Sequence, residues 1–209
     1  IAGASHKGLG ELEKAVEVYT KAISLKPDCA EAYNNLGTVF QDQGKLERAI
    51  EAYSKALSIN PKFPEAYINI GNAYKDSGEL QEAIDIYKKV LGVTPNYAEA
   101  YNNMGNALKD QGKLDLALSA YNKASSLTNN YADAYYNLGV IFGALGNNEE
   151  AIRSFERGLK LVPDHIDTNA GFFYASGKEV PGWHIPMMND DPRNQAYKKA
   201  LETTITEDT

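Results

Sequence analysis

The sequence has 209 residues, a formal net charge of −7 and 43% hydrophobic residues, the make-up of a protein that can bury a core. The acidic balance argues against non-specific binding to nucleic acid phosphates or to an anionic membrane surface, and it favours neutral or basic partners. The single cysteine, Cys29, excludes an internal disulfide and a structural zinc site, so a reducing compartment is expected.

The chain carries no membrane or export signal that the sequence reveals. Its longest stretch without a charged residue, 134–148, is about three quarters of a membrane span and contains Asn and Gly, so no transmembrane segment is predicted. No signal peptide opens the chain, and the first residue is Ile rather than Met, which indicates a piece of a longer protein. We expect a cytoplasmic location, with the nucleus as the alternative.

A 34-residue period runs through the sequence. The residues that mark it are Gly10, Gly44, Gly78, Gly112 and Gly146, and Pro27, Pro61, Pro95 and Pro163, with Asn129 in place of the missing proline. Aromatic, small and proline residues at constant offsets in such a period resemble the tetratricopeptide repeat (TPR) family. The resemblance covers roughly residues 3–180 and implies an all-α fold, a right-handed superhelix of helix-turn-helix repeats.

Each repeat is predicted to be a pair of antiparallel helices. Counting the proline as position 32 gives a truncated unit 1–29, full units 30–63, 64–97, 98–131 and 132–165, and a partial unit 166–180. Apolar or small residues at positions 4, 7, 8 and 11 form one face of the first helix. Glycine at position 15 suits the turn, and proline at position 32 ends the second helix. One hairpin cannot cover its own apolar face, so the units must stack into a solenoid with a concave wall.

Positions 2, 5, 6, 9, 12 and 13 of the first helix are predicted to face that wall, since an α-helix turns about 100° per residue. Position 6 is asparagine in every full unit, at Asn35, Asn69, Asn103 and Asn137. Core packing does not require an amide there, and an amide can both donate to and accept from the main chain of an extended peptide. Helices packed about 8–10 Å apart would place one asparagine at roughly every third peptide residue.

This row of asparagines is similar to the asparagine ladder in the TPR superhelix of O-linked N-acetylglucosamine transferases and their plant relatives of the SPINDLY type. The resemblance implies that these four residues hold the backbone of a protein substrate. The row stops in the partial unit, where position 6 is Gly171. The alternative is that the amides only satisfy neighbouring helix ends or repeat by descent.

Other wall positions indicate the character of the partner. Acidic residues predominate at positions 2 and 13, and amides and lysines occur at positions 9 and 12. The further candidates for peptide contact are Asn72, Asn106, Lys75, Lys109, Asp76 and Asp110. An acidic wall favours a neutral or basic extended segment and disfavours an acidic tail. The carboxylates at position 2 are also explained by the helix macrodipole alone.

The repeat pattern breaks after residue 180. Residues 181–209 are predicted to form a loop followed by a helix that begins at Pro192, with Asp191 as its cap, and ends near Thr204. The segment either caps the last repeat or begins a further domain.

Within it, the spacing of His184, Met187, Asp190, Arg193 and Tyr197 resembles the helix that opens the catalytic region of protein arginine methyltransferases, in the branch that carries TPRs. The resemblance implies that Arg193 pairs with the carboxylate of S-adenosylmethionine and that His184 and Met187 border this cofactor. The nucleotide-binding strand and its glycine-rich turn do not occur in the sequence. We therefore expect no catalysis by this chain and no cofactor in it.

Three functional hypotheses follow, and no metal site or phosphate loop is predicted. The first is a protein–protein interaction module that binds an extended, neutral-to-basic peptide. The second is the substrate-recruiting N-terminal region of an S-adenosylmethionine-dependent protein arginine methyltransferase. The third is a scaffold that self-associates through its end repeats, which is favoured if Leu9, Leu12 and Val16 lie uncovered.

Overall fold

The computed structural model describes residues 11–128, 131–163 and 165–177. Within these ranges the chain forms ten α-helices and no β-strand, so the predicted all-α class is confirmed. The helices are α1 (Leu12–Leu25), α2 (Ala30–Asp42), α3 (Leu46–Ile59), α4 (Pro64–Asp76), α5 (Leu80–Val93), α6 (Ala98–Asp110), α7 (Leu114–Leu127), α8 (Ala132–Ala144), α9 (Asn148–Leu161) and α10 (Ile166–Ala175). The helix predicted from Pro192 lies outside the described residues.

The helices group into two compact units. The first, Ile1–Asn129, contains α1 to α7, and each of these helices packs against the next one in the chain. The first helices of successive repeats also contact one another, α2 with α4 and α4 with α6. The second unit, Asn130–Thr209, contains α8, α9 and α10, which all contact each other.

The turn inside each full hairpin is a Schellman motif. In the first one, Gly44 has a positive φ of 71°, its N–H donates to the carbonyl of Gln41, and the N–H of Lys45 donates to the carbonyl of Phe40. Glycine is required because other residues rarely adopt this left-handed conformation. The equivalent glycines, with φ between 73° and 84°, are Gly78, Gly112 and Gly146. The predicted role of the position-15 glycine is confirmed.

An aromatic ring packed on a glycine closes each hairpin. The ring of Tyr53 on α3 is fully buried and lies so close to Gly37 on α2 that a Cβ atom there would be 2.6 Å from a ring carbon. The equivalent pairs are Gly71 with Tyr87, Gly105 with Tyr121, and Gly139 with Phe155. The sequence predicted rings between neighbouring units, whereas each ring first covers the glycine of its own hairpin. Phe155 also reaches the next hairpin, at Gly171.

The second helices end where the sequence predicted, two residues before each proline. Helix α3, for example, ends at Ile59 and is followed by Pro61. Helix α7 ends at the equivalent residue, Leu127, although its repeat has no proline. Proline therefore reinforces these helix ends but is not required for them.

The N-terminal helix α1 is packed rather than exposed along its apolar side. Leu12 and Val16 are half-buried against the core cluster that contains Tyr53 and Phe40. This reduces the apolar surface on which the self-association hypothesis depended. Leu9 lies outside the described residues.

Candidate functional site

The first helices of three successive repeats present a continuous set of polar side chains. We call this set the amide face and define it by positions 6, 9, 12 and 13 of α2, α4 and α6. Its members are Asn35, Thr38, Gln41 and Asp42; Asn69, Asn72, Lys75 and Asp76; and Asn103, Asn106, Lys109 and Asp110. All of these side chains are exposed or half-buried, as predicted.

Position 5 does not belong to this face. Ile68 and Asn102 are 3% and 5% exposed, so the prediction that position 5 faces the wall is wrong for α4 and α6. In α2, Asn34 at this position contacts the first helix of the next repeat through a hydrogen bond. Position 5 therefore lies at the contact between first helices, which the geometry of one isolated helix does not reveal.

The position-6 asparagines link one repeat to the preceding one. Asn69 Nδ2 donates to Asn34 Oδ1 at 2.9 Å, and Asn103 Nδ2 donates to Asn72 Oδ1 at 3.3 Å. Each amide thus spends its donor on a neighbouring helix, as the alternative interpretation proposed. In the described part of the chain, the Oδ1 of Asn69 and that of Asn103 accept no hydrogen bond. Asn35, at the start of the row, is exposed.

The position-9 side chains accept hydrogen bonds from the buried tyrosines. Tyr87 Oη donates to Asn72 Oδ1 and Tyr121 Oη donates to Asn106 Oδ1, both at 2.7 Å. These asparagines were predicted as peptide contacts, and the structure shows that one oxygen of each is already engaged. Their Nδ2 atoms make no hydrogen bond within the described residues.

The first repeat makes the same connection with other side chains. Tyr53 Oη donates to Gln41 Oε1 at 2.9 Å and lies 3.4 Å from Thr38 Oγ1. Gln41 Nε2 then donates to Asp76 Oδ2 at 2.8 Å, and Lys75 Nζ lies 3.7 Å from Asp76 Oδ1. Asp110 at the equivalent place in α6 is exposed. The acidic row at position 13 is therefore partly compensated at Asp76.

The second unit differs from the amide face. Asn137, the fourth predicted ladder residue, is 8% exposed. At position 9 this unit has Val140 in place of an amide, and its closing ring is Phe155, which lacks a hydroxyl. A Cβ atom on Gly171 would be 2.5 Å from Phe155 Cζ, so an asparagine does not fit there. The predicted end of the ladder at Gly171 thus has a steric cause.

Burial of the closing tyrosines keeps their hydroxyls protonated. Burial raises the pKa of Tyr53 to about 12, and the pKa of Tyr87 and that of Tyr121 are likewise raised. The carboxylate of Asp76 raises the pKa of Tyr87 further, and that of Asp110 does the same for Tyr121. These hydroxyls therefore remain donors to the amide face across the neutral range.

This shift leads to an expected alkaline destabilisation. A tyrosine with a higher pKa in the fold than its usual value of about 10 stabilises the fold fully below that pH and loses this contribution as the pH rises towards 12. We expect the urea midpoint to fall between about pH 10 and pH 12. A Tyr53→Phe, Tyr87→Phe, Tyr121→Phe triple variant should show a smaller fall, because other alkaline titrations are common to both proteins. Equal slopes would contradict the assignment.

The sequence also matches known repeat profiles. The TPR repeat profile matches residues 7–44, 39–78, 71–112 and 105–146, and the tetratricopeptide repeat profile matches 132–165. The chain belongs to the tetratricopeptide repeat family. The TPR resemblance stated from the period is thereby confirmed, and with it the helical solenoid class. As a TPR protein it is a protein–protein interaction scaffold.

Solved TPR structures share this fold. MamA is 28% identical with a TM-score of 0.65, over 77% of this chain and 94% of its own. YrrB, described as a TPR protein with an unusual peptide-binding site, is 24% identical with a TM-score of 0.62, over 91% and 99% of the two chains. TTC0263, a thermophilic TPR protein of Thermus thermophilus, is 20% identical with a TM-score of 0.68, over 84% and 95%. No curated protein sequence matches the chain.

Several predicted features lie outside the description or find no counterpart in it. His184, Met187 and Arg193, the residues that resemble a methyltransferase cofactor site, lie outside the described residues. Across residues 11–128, 131–163 and 165–177, no three His, Cys, Asp or Glu side chains group as metal ligands. None of the helices in those ranges has the length and apolar content of a membrane span.

Proposed function

We propose that the amide face binds an extended peptide that crosses α2, α4 and α6, one repeat after another. The observation that carries this proposal is the state of the Asn69 and Asn103 side chains. Each donates through Nδ2 to the preceding repeat, yet its Oδ1 has no partner within the described residues. An oriented amide with a vacant acceptor suits the N–H groups of a peptide main chain.

The charges around the amide face favour a neutral-to-basic peptide. Exposed carboxylates stand in the first turn of each helix at position 2 and near its end at position 13, and the amides lie between these two rows. The residues are Glu31, Glu65 and Glu99 in the first row, and Asp42, Asp76 and Asp110 in the second. Alternate side chains of an extended peptide point to opposite sides, so basic side chains on either side would meet carboxylates.

A structural neighbour lends the proposal further support. YrrB is a TPR protein described as having an unusual peptide-binding site, and this chain aligns with 99% of it. At 24% identity the comparison concerns the fold. The case for binding in this chain therefore depends on its own amide face.

The ladder is tested by removing two of its amides. In an Asn69→Ala, Asn103→Ala double variant, we expect affinity for a fluorescein-labelled peptide of four Thr-Arg-Ser-Val repeats to fall by about 1–3 kcal/mol. Helicity should be kept, although two inter-repeat hydrogen bonds are lost. Fluorescence anisotropy gives the affinity and far-UV circular dichroism the helicity. Asn122→Ala, an exposed asparagine on α7, is the matched control. Equal affinities for the double variant and the wild type would overturn the ladder assignment.

The preference for basic peptides is tested with three matched probes. Replacing every Arg of the peptide by Gln or by Glu should weaken binding in that order, and added salt should weaken the Arg peptide most. The same anisotropy assay at about 50 and 300 mM salt measures both effects. An acidic peptide that binds as well as the basic one would contradict the role of the carboxylate rows.

A second candidate function comes from the sequence after the repeats. We propose that residues 181–209 join the scaffold to an arginine methyltransferase domain, for which the scaffold would recruit Arg-containing segments. The support is the spacing of His184, Met187 and Arg193, which resembles the entry helix of that family. Sequencing the parent gene beyond Thr209 tests this directly. A downstream region without a nucleotide-binding strand and glycine-rich turn would refute it.

A further inference from the structure

The amides at position 9 have a defined orientation. Asn72 Oδ1 accepts both from Tyr87 Oη and from Asn103 Nδ2. If the amide were rotated by half a turn, its Nδ2 would face the donor of Asn103 and two donors would oppose each other. Asn106 Oδ1 accepts from Tyr121 Oη in the same way. The oxygen of each position-9 amide is thus directed to a tyrosine, and its NH2 group makes no hydrogen bond within the described residues.

The position-6 amides have the opposite polarity. Asn69 and Asn103 use their NH2 groups to bond the preceding repeat, and their oxygens stay without a partner in the described ranges. Positions 6 and 9 are one helical turn apart on the same side of the helix. In α4 and α6, each repeat therefore pairs one vacant acceptor with one vacant donor. These are the complements of the N–H and C=O groups that a residue of an extended peptide shows on one edge.

The chain contains an internal contrast to this arrangement. In the second unit, the closing ring has no hydroxyl at Phe155, position 9 is Val140, and position 6 of the next hairpin is Gly171. Phe155 Cζ lies 2.5 Å from where a Cβ atom of Gly171 would be, so the ring edge takes the place of the ladder side chain. The hydroxyl, the position-9 amide and the following ladder amide are lost together. This indicates that they act as one set.

We propose that Tyr87 and Tyr121 are positioning residues that set the hydrogen-bonding polarity of the amide face, so that it selects a ligand by its main-chain amides. Position 6 accepts from peptide N–H groups and position 9 donates to peptide C=O groups. The ligand class is an unmodified extended peptide backbone, with a contact at roughly every third residue. This inference rests on the proposed function, and it adds which atoms bind and which residues orient them.

The first readout needs no peptide. In protein labelled with 15N-asparagine, the side-chain NH2 signals of Asn72 and Asn106 should shift or broaden in a Tyr87→Phe, Tyr121→Phe double variant. The signals of Asn35 should stay unchanged, because neither of these hydroxyls bonds it. A Tyr33→Phe, Tyr67→Phe variant is the matched control, since both tyrosines lie outside the amide face. Unchanged Asn72 and Asn106 signals in the first variant would overturn the inference, whatever the protein binds.

The second readout compares the peptide of four Thr-Arg-Ser-Val repeats with ester analogues in which single main-chain N–H groups are replaced by oxygen. The wild type should bind the amide form at least about five-fold more tightly than the ester form at contacted residues. The Tyr87→Phe, Tyr121→Phe variant should lose most of this discrimination while it keeps its helicity. Full discrimination in that variant would overturn the positioning role. Failure of the wild type to bind, or binding that ignores Asn69→Ala, Asn103→Ala, would refute the proposed function instead, and the NMR readout distinguishes the two failures.

Discussion

Replacing Tyr87 by alanine is expected to lower the free energy of unfolding by about 3–5 kcal/mol, in the range of buried aromatic truncations. The ring is fully buried, and it is the surface on which Gly71 of α4 rests. Its loss would leave a cavity between α4 and α5 that these helices cannot close without losing contacts with their neighbours. Urea unfolding followed by circular dichroism measures the effect.

Tyr87→Phe is the control that separates the ring from its hydroxyl. It keeps the ring and removes the 2.7 Å hydrogen bond to Asn72, so we expect a loss of about 1 kcal/mol. If alanine at this position costs no more than phenylalanine, the ring does not close the hairpin.

Replacing Gly71 by alanine is expected to destabilise the protein by about 1–3 kcal/mol, the cost of overpacking a core. A Cβ atom at this position would overlap Cε1 of Tyr87, and the buried ring has little freedom to move away. In an exposed helix interior the same change stabilises by about 1 kcal/mol, because alanine is the better helix former. The close contact therefore reverses the usual sign.

Gly92→Ala provides the matched control for this reversal. Gly92 lies on α5, and a Cβ atom there would have nothing within 4 Å. We expect this variant to be more stable than the wild type by about 0.5–1 kcal/mol. Changes of the same sign at Gly71 and Gly92 in urea unfolding would show that the ring does not limit the size of residue 71.

The closing tyrosines connect stability with the candidate function. The ring of Tyr87 lies in the core of its hairpin, and its hydroxyl bonds Asn72 on the amide face. Asn72 in turn accepts from Asn103 of the next repeat. A single side chain therefore contributes to hairpin packing, to the orientation of a candidate binding group and, through it, to the contact between repeats. Substitution by phenylalanine separates the first of these roles from the other two.

The repeats and their helices were predictable because the information for them is local and periodic. Helix boundaries follow from the position-15 glycine, whose positive φ permits the Schellman turn at Gly44 and its equivalents. The buried side of each first helix follows from apolar residues one turn apart. Both signals recur every 34 residues, so each repeat repeats the evidence of the others.

The connection between the closing ring and the amide face could have been found in the sequence but was missed. Tyr87 and Asn72 are 15 residues apart and lie on different helices, so no helical periodicity joins them. Comparison between repeats reveals the link, because the polar pair becomes Val140 and Phe155 in one step, and Gly171 follows. The signal was correlated substitution among the repeats of a single chain.

By itself the sequence determined the all-α repeat fold, the turns, the core-facing side of each first helix and the row of asparagines, since these depend on residue types at regular spacing within one hairpin. Only the packing of neighbouring hairpins showed that position 5 is buried, as at Ile68, and that Asn69 and Asn103 use their NH2 groups between repeats. The physical reason is that the exposure of a side chain and the direction of an amide depend on which atoms of the adjacent helix lie opposite. That arrangement exists only once the hairpins have stacked.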